Sequence, residues 1–224
     1  MTYRKPVLAN GEVYHIVART IAKTPLFLNK QNYQRFLDTI NFYRYKKPPL
    51  RLSHYLRLSR DEQENIINNL EKDGKFLVEI IAFCLMPNHV HFLAKQLEDN
   101  GVSIFMSRVQ NSYAKYFNTK NKRVGSLFQS MFKAVRIEID EQLVHVSRYI
   151  HLNPSSSYVC KIKDLKKYPW SSLSYYLNLK SFKFVTPNLV FDLFSDKQDY
   201  EKFVFDQASY QRRLAIITHL TLES

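Results

Sequence analysis

The stretch "IIAFCLMPNHVHFL", Ile80–Leu93, decides how this chain folds. Apolar residues run unbroken from Ile80 to Met86, Pro87 and Asn88 interrupt them, and alternation resumes with His89 and His91 around Val90. Pro fixes a turn-compatible φ and Asn tolerates tight backbone geometry. The stretch therefore predicts a β-hairpin, with strands over Phe76–Met86 and His89–Lys95. Side chains at i and i+2 of a strand share a face, their Cα atoms roughly 6.5–7 Å apart. His89 and His91 thus project together, while Val90 points the opposite way into a core. Neutral imidazoles so placed can converge on one divalent ion, and two of them leave its shell open to a phosphate oxygen. The spacing alone fits equally two structural histidines on a half-exposed strand.

Working outward, "EVYHIVART" alternates and is rich in β-branched residues, which predicts a strand over Val13–Arg19. Asn29 is placed to cap a helix carrying Tyr33, Phe36, Leu37 and Ile40, and "KKPPLR" stops it. Ser59 and Glu62 form a capping box for a helix over Arg60–Lys72, closed by "KDGK". "EDNGVS" leads into a helix over Val102–Phe117, and "GSLFQSMFKAVRIEI" reads as extended chain. Asp140 is expected to cap a helix over Glu141–Asn153 that Pro154 terminates. Beyond "YPWSS" the pattern is helical in "NLVFDLF" and "DYEKFVFDQASYQRRLAIITHL". The order βα(α)ββαβα predicts an α+β, ferredoxin-like fold: a mainly antiparallel sheet with helices on one face, plus a helical C-terminal extension. Residues 1–178 are expected to form the main domain, with a basic, helical insertion near 47–75, and residues 179–224 the extension.

Composition narrows the function. At 224 residues, 45% apolar and 14% aromatic, the chain can bury a sizeable core. Four glycines and no GxGxxG or GxxxxGK[ST] pattern argue against a Gly-rich phosphate loop. Thirty-three Lys and Arg against twenty acids give a net charge of +13, which favours a polyanionic partner, nucleic acid first. Cys84 and Cys160 lie too far apart in sequence to suggest a disulfide framework, and Cys84 reads as a small buried hydrophobe. No run reaches about 18 apolar residues and "MTYRKPVLANGEV" lacks a signal segment, so a soluble, cytoplasmic protein without a membrane partner is expected.

"CLMPNHVHFL", with "YHIV" ahead of it and "YIHLNP" behind, resembles the HUH single-strand tyrosine transposases, in particular the REP-associated tyrosine transposase branch of the IS200-like family. "SYAKYFN", "GSLFQSMFKAVRI" and "YPWSS" extend the resemblance over about residues 12–175. The chain departs from the family in the stretch near 47–75 and in "NPSSS", where the family carries a small apolar and basic run after Asn-Pro. The resemblance implies an enzyme that cuts single-stranded DNA near hairpin-forming repeats, leaving a 5′-phosphotyrosine link and a free 3′-OH. It implies Tyr149 as nucleophile, with Asn153 joining His89 and His91 around Mg²⁺ or Mn²⁺; imidazole ligands would also suit zinc. The implied partner is single-stranded, hairpin-containing DNA, and both monomers and homodimers occur among relatives.

The residues themselves support this choice among fifteen tyrosines. Tyr113 and Tyr116 continue a core stripe begun by Phe105 and Val109. Tyr149 lies beside the stripe of Leu143, Val146 and Ile150 and shares a face with Asn153, about 40° around the helix. A structural alternative makes Asn153 a helix end and Tyr149 a boundary aromatic. A free phenol titrates near about 10, so attack at neutral pH needs assistance. No general base stands out, since His151 lies about 200° around the helix from Tyr149. Candidate DNA contacts are Arg19, Arg108, Lys115, Lys120, Lys122, Arg123, Phe132 (as a stacking surface), Lys133, Arg136 and Arg148. Two other readings compete: a hairpin-binding protein or repressor on the same scaffold that no longer cuts, and a metal-dependent phosphodiesterase or replication-initiator nuclease. His89, His91, Tyr149 and Asn153 together favour retained strand-cutting chemistry, because a binding protein needs no such set.

Overall fold

A computed structural model describes residues 7–206. Four strands, β1 (Val13–Arg19), β2 (Val78–Met86), β3 (His89–Gln96) and β4 (Lys133–Ile137), form one antiparallel sheet in the order β2-β3-β1-β4. Pro87 and Asn88 make the two-residue turn between β2 and β3, as their chemistry predicts. Of the stretch expected to be extended after residue 125, only β4 becomes a strand, with an isolated bridge from Phe128 to Thr20.

The main helices are α1 (Lys30–Tyr43), α2 (Leu52–Tyr55), α3 (Arg60–Asp73), α4 (Gly101–Lys120) and α5 (Asp140–Ser156); α6 (Leu173–Tyr176), α7 (Asn188–Phe191) and α8 (Lys197–Asp206) follow. Asn29 caps α1 by accepting from the Asn32 amide. The Ser59–Glu62 capping box opens α3, and Gly74 closes it at φ 63°, a left-handed value that glycine adopts readily. α3 buries no residue fully; it is tied down by Glu71, whose carboxylate accepts from Arg44 and from the Tyr45 hydroxyl, each at 2.5 Å. α4 starts unusually close to the chain entering β2: a Cβ on Gly101 would lie 2.3 Å from the Leu77 carbonyl oxygen. Gln96 serves that start in place of a capping side chain, its Oε1 accepting from the Val102 amide at 3.1 Å.

Register assigns every sheet residue to a face. Val17 lies opposite His91 and Arg19 opposite His89, so these four share a face with His15; Tyr14, Ile16, Ala18, Val90 and Phe92 point the other way. The second set packs under α1 and α4, with Phe92 edge-on to Phe105 and the Tyr113 hydroxyl donating to the Leu26 carbonyl at 2.7 Å. This is the expected ferredoxin-like antiparallel α+β sheet, but its helices are not confined to one face as expected: α1 and α4 cover this face, and the histidines of the other need a cover of their own. α5 lies over the other face, above the histidines. Each sheet face is therefore covered, which is why His91 is as fully buried as Val90.

α5 corrects two expectations. Asp140 does not cap it: Ile139 holds that position without a side-chain cap, and Asp140 is the first helical residue, where its charge suits the helix dipole. Pro154 does not end it. The helix runs on to Ser156 with Pro154 inside, because the last turn is closed by other amides, Ser157 donating to the Asn153 carbonyl at 2.9 Å and Val159 to that of Pro154 at 2.8 Å. Asn153, 1% exposed, is held helical by burial although the residue before proline disfavours that geometry.

The chain after α5 covers the β2 edge, with Ser172 donating to the Phe83 carbonyl and Leu85 to that of Trp170. α8 then returns to α5. Residues 207–224, part of the expected C-terminal helix, lie outside the described residues. Between α5 and α8, His151 is wholly buried, its Nδ1 meeting the Tyr200 hydroxyl and its Nε2 the Ser172 hydroxyl, both at 2.7 Å. Burial holds this imidazole down at about 3. An unfolded histidine titrates near about 6.5, so between these values the unfolded chain binds the extra proton and stability rises with pH. The contribution is complete above the unfolded value and is lost as pH falls toward the folded one, by up to about 1.4 kcal/mol per pH unit. Urea unfolding at several pH values from 4 to 7 should show a shallower pH dependence in His151→Gln than in the wild type. Parallel profiles would contradict this account.

Candidate active site

β3 delivers His89 and His91 to one face, and β1 places His15 beside them. The His89 and His91 rings are 4.8 Å apart between centroids and nearly perpendicular at 76°. His89 is steered by its neighbour, Nδ1 lying 2.7 Å from Asn88 Oδ1. His91 meets His15 Nε2 with its Nδ1 at 3.1 Å and faces Asn153 Nδ2 with its Nε2 at 3.4 Å. Burial first, then the charges possible on His89, His15 and Arg19, push its pKa well below the ordinary imidazole value. A neutral imidazole keeps a lone pair to give, which is what metal ligation requires.

α5 brings Tyr149 and Asn153 down onto this cluster from one helical face. The half-buried Tyr149 ring stands edge-on to both His91, at 5.7 Å and 81°, and His15, at 5.8 Å and 73°. The continuation of α5 through Pro154 keeps the two residues one turn apart on the same rigid rod. All four expected site residues are thus gathered at one place on the sheet.

The donors present fit a divalent cation: two imidazoles on perpendicular planes and an amide against one of them. Among the described residues no group of three His, Cys, Asp or Glu is arranged to hold a metal. A third protein donor within reach is the Asn153 amide, now oriented with Oδ1 accepting from Ser157 Oγ at 3.3 Å. A half-turn of that amide would present its oxygen beside His91 Nε2.

His15 was not singled out as a site residue from sequence. Its signal was a polar ring at the centre of an otherwise apolar strand, but only the β1–β3 pairing shows which neighbour it meets.

The candidate DNA contacts divide. Arg19 and Lys133 stand on the histidine face, Arg19 in register with His89 and Lys133 with Val17. Arg136 points to the opposite face and is paired with Glu12 at 2.7 Å. Phe132 is buried against the core, so it offers little open stacking surface. Arg108, Lys115 and Lys120 line a groove of about 920 Å³ beside α1 and α2, with Arg35 and Arg51, across the sheet from the histidines. Arg108 is anchored there on the carbonyls of Tyr45 and Lys46 at 3.3 and 3.0 Å. Arg123 is tied into its own loop through Asn118, Gly125 and Ser126, while Lys122 is exposed in the adjoining turn. Arg148, 6% exposed, turns away from the site into the seam with α8. There it meets His145 Nδ1 at 2.7 Å and the Phe203 carbonyl at 3.2 Å and lies over the Phe203 ring.

The family model described as transposase IS200 like matches residues 54–153, which hold His89, His91, Tyr149 and Asn153. Among solved structures, a REP-associated tyrosine transposase bound to a REP hairpin superposes with a TM-score of 0.55 at 14% identity, covering 83% of this chain and 98% of that one. No curated protein matches the chain. No helix among the described residues is long and apolar enough to cross a membrane.

The position of Arg148 yields a test. Arg148→Gln should lower stability by about 1.5–3 kcal/mol, the range for a hydrogen bond to a charged group. It should leave the salt dependence of DNA binding unchanged. A fall of about one in the slope of log affinity against log salt would instead make Arg148 a phosphate contact.

Proposed function

We propose that this protein is a transposase that cleaves and rejoins single-stranded DNA beside hairpin-forming repeats, with Tyr149 as nucleophile. The observation that carries the reading is the approach of the Tyr149 ring to His91 on the helix face that also bears Asn153. A scissile phosphate laid across the histidine face would meet the phenol from the α5 side. The Tyr149 oxygen attacks phosphorus as its proton leaves, the bond from phosphorus to the 3′-oxygen breaks, and that oxygen takes up a proton. The products are a 5′-phosphotyrosine and a free 3′-OH. Because the phosphodiester is exchanged rather than hydrolysed, attack by a 3′-OH reverses the step and rejoins a strand.

His89, His91 and the turned Asn153 amide would hold the divalent cation, Mg²⁺ or Mn²⁺. Bound there, such an ion polarises the phosphate and offsets charge developing on its oxygens. The low pKa of His91 keeps it competent as a ligand below the pH at which a free imidazole would protonate. Arg19 and Lys133, on the same face, would draw the phosphate backbone over it. The solved neighbour was bound to a REP hairpin, which supports a hairpin-bearing DNA as the partner here.

Covalent capture tests this reading. A hairpin oligonucleotide labelled at its 3′ end should remain attached to the denatured wild-type protein when a divalent metal is supplied. Tyr149→Phe should reduce that adduct to background while hairpin binding persists. His89→Ala should lose cleavage far more than binding. An undiminished adduct in Tyr149→Phe would refute the assignment of the nucleophile, and equal loss of both activities in His89→Ala would make the histidines structural.

A further inference from the structure

His15 has no role in the chemistry set out above, yet its ring touches the most deeply buried member of the site. The distance between His15 Nε2 and His91 Nδ1 is 3.1 Å, the ring centroids are 5.3 Å apart, and the planes differ by only 20°. That centroid separation is close to the largest such an N···N distance allows, so the two nitrogens point at one another nearly in line. Two ligands of one ion point instead at a common third point. The contact is therefore a hydrogen bond, with one ring supplying N–H and the other a lone pair.

The far side of His91 indicates which ring donates. Asn153 directs its Nδ2 at His91 Nε2 from 3.4 Å, and Ser157 Oγ donates to the amide oxygen on the other side. With the amide in this orientation, Nε2 accepts. A neutral imidazole carries one N–H, so the proton of His91 resides on Nδ1 and His15 Nε2 receives it. His15 in turn carries its own proton on Nδ1.

We propose that His15 is a positioning residue: by accepting from His91 Nδ1–H it fixes the tautomer and ring angle that leave the His91 Nε2 lone pair facing Asn153. The consequence for metal binding rests on the function proposed above. The tautomer does not, because it is a property of the metal-free protein. Partners of this kind hold a ligating imidazole in place, and losing one typically costs about 10–100-fold in metal affinity.

The test uses the full chain labelled with ¹⁵N at histidine. Long-range ¹H–¹⁵N spectra of the metal-free protein above pH 7 should show His91 as the Nδ1–H tautomer. A His91 Nε2–H signal overturns the proposal. Two variants extend the test: His15→Gln, whose Oε1 can reach the position of the lost Nε2, and His15→Leu, which has no acceptor. Mn²⁺ affinity should fall about 10–100-fold in His15→Leu and recover most of the way in His15→Gln. Equal affinity in wild type and His15→Leu, or equal loss in both variants, would reduce His15 to core packing. Should His15→Leu not fold, the wild-type spectrum still decides. Absence of the DNA adduct with the Nδ1–H signal present would count against the proposed function and leave the role of His15 in the tautomer intact.

Discussion

The imidazole of His91 is enclosed by protein on all sides, and the rest of the site follows from the neutrality this imposes. Charging it would mean placing a cation in a buried pocket beside His89, His15 and Arg19. A ring that stays neutral offers a lone pair, and here that lone pair faces a buried amide beside a tyrosine, the geometry on which the proposed function rests. The enclosure has two sources. The antiparallel register of β1 against β3 sets His15 and Arg19 beside the histidine pair, and α5 closes the face above them.

Rigidity is the second condition, and it resides in α5. Tyr149 and Asn153, the proposed nucleophile and metal ligand one turn apart, keep a fixed separation only while the helix between them persists. Pro154 would be expected to weaken that turn, since it removes an amide and disfavours helical geometry at Asn153. The amides of Ser157 and Val159 take up the carbonyls of Asn153 and Pro154, and burial of Asn153 and Pro154 does the rest. On the outer side, Ser147, His151 and Arg148 bind α8 through Tyr200 and Phe203, so the helix is gripped on both flanks.

Much of this was legible in the residues. The hairpin, the Asn29 cap, the Ser59–Glu62 box and the gathering of Tyr149 with Asn153 each follow from local chemistry or periodicity, and the structure carries them. Three features were not. The end of α5 is one, because there the local preference before proline yields to tertiary packing, which sequence does not display. His15 is another, because its contact with His91 lies in cross-strand register, a relation between segments more than 70 residues apart. Arg148 and Arg136 look like DNA contacts in the sequence, yet their partners, Phe203 and Glu12, lie far away along the chain. Basic residues are easy to count and hard to place, and the nine basic candidates for DNA contact scatter over both faces of the sheet for that reason.

The most direct measurement is anomalous diffraction from crystals of the full chain equilibrated with Mn²⁺. The account predicts a single strong peak at coordinating distance from the His89 and His91 rings, with His91 contributing Nε2 and the Asn153 oxygen turned toward the ion. A peak bound by His91 Nδ1 and His15, or no peak at the histidine pair while Mn²⁺ supports DNA cleavage in solution, would contradict it.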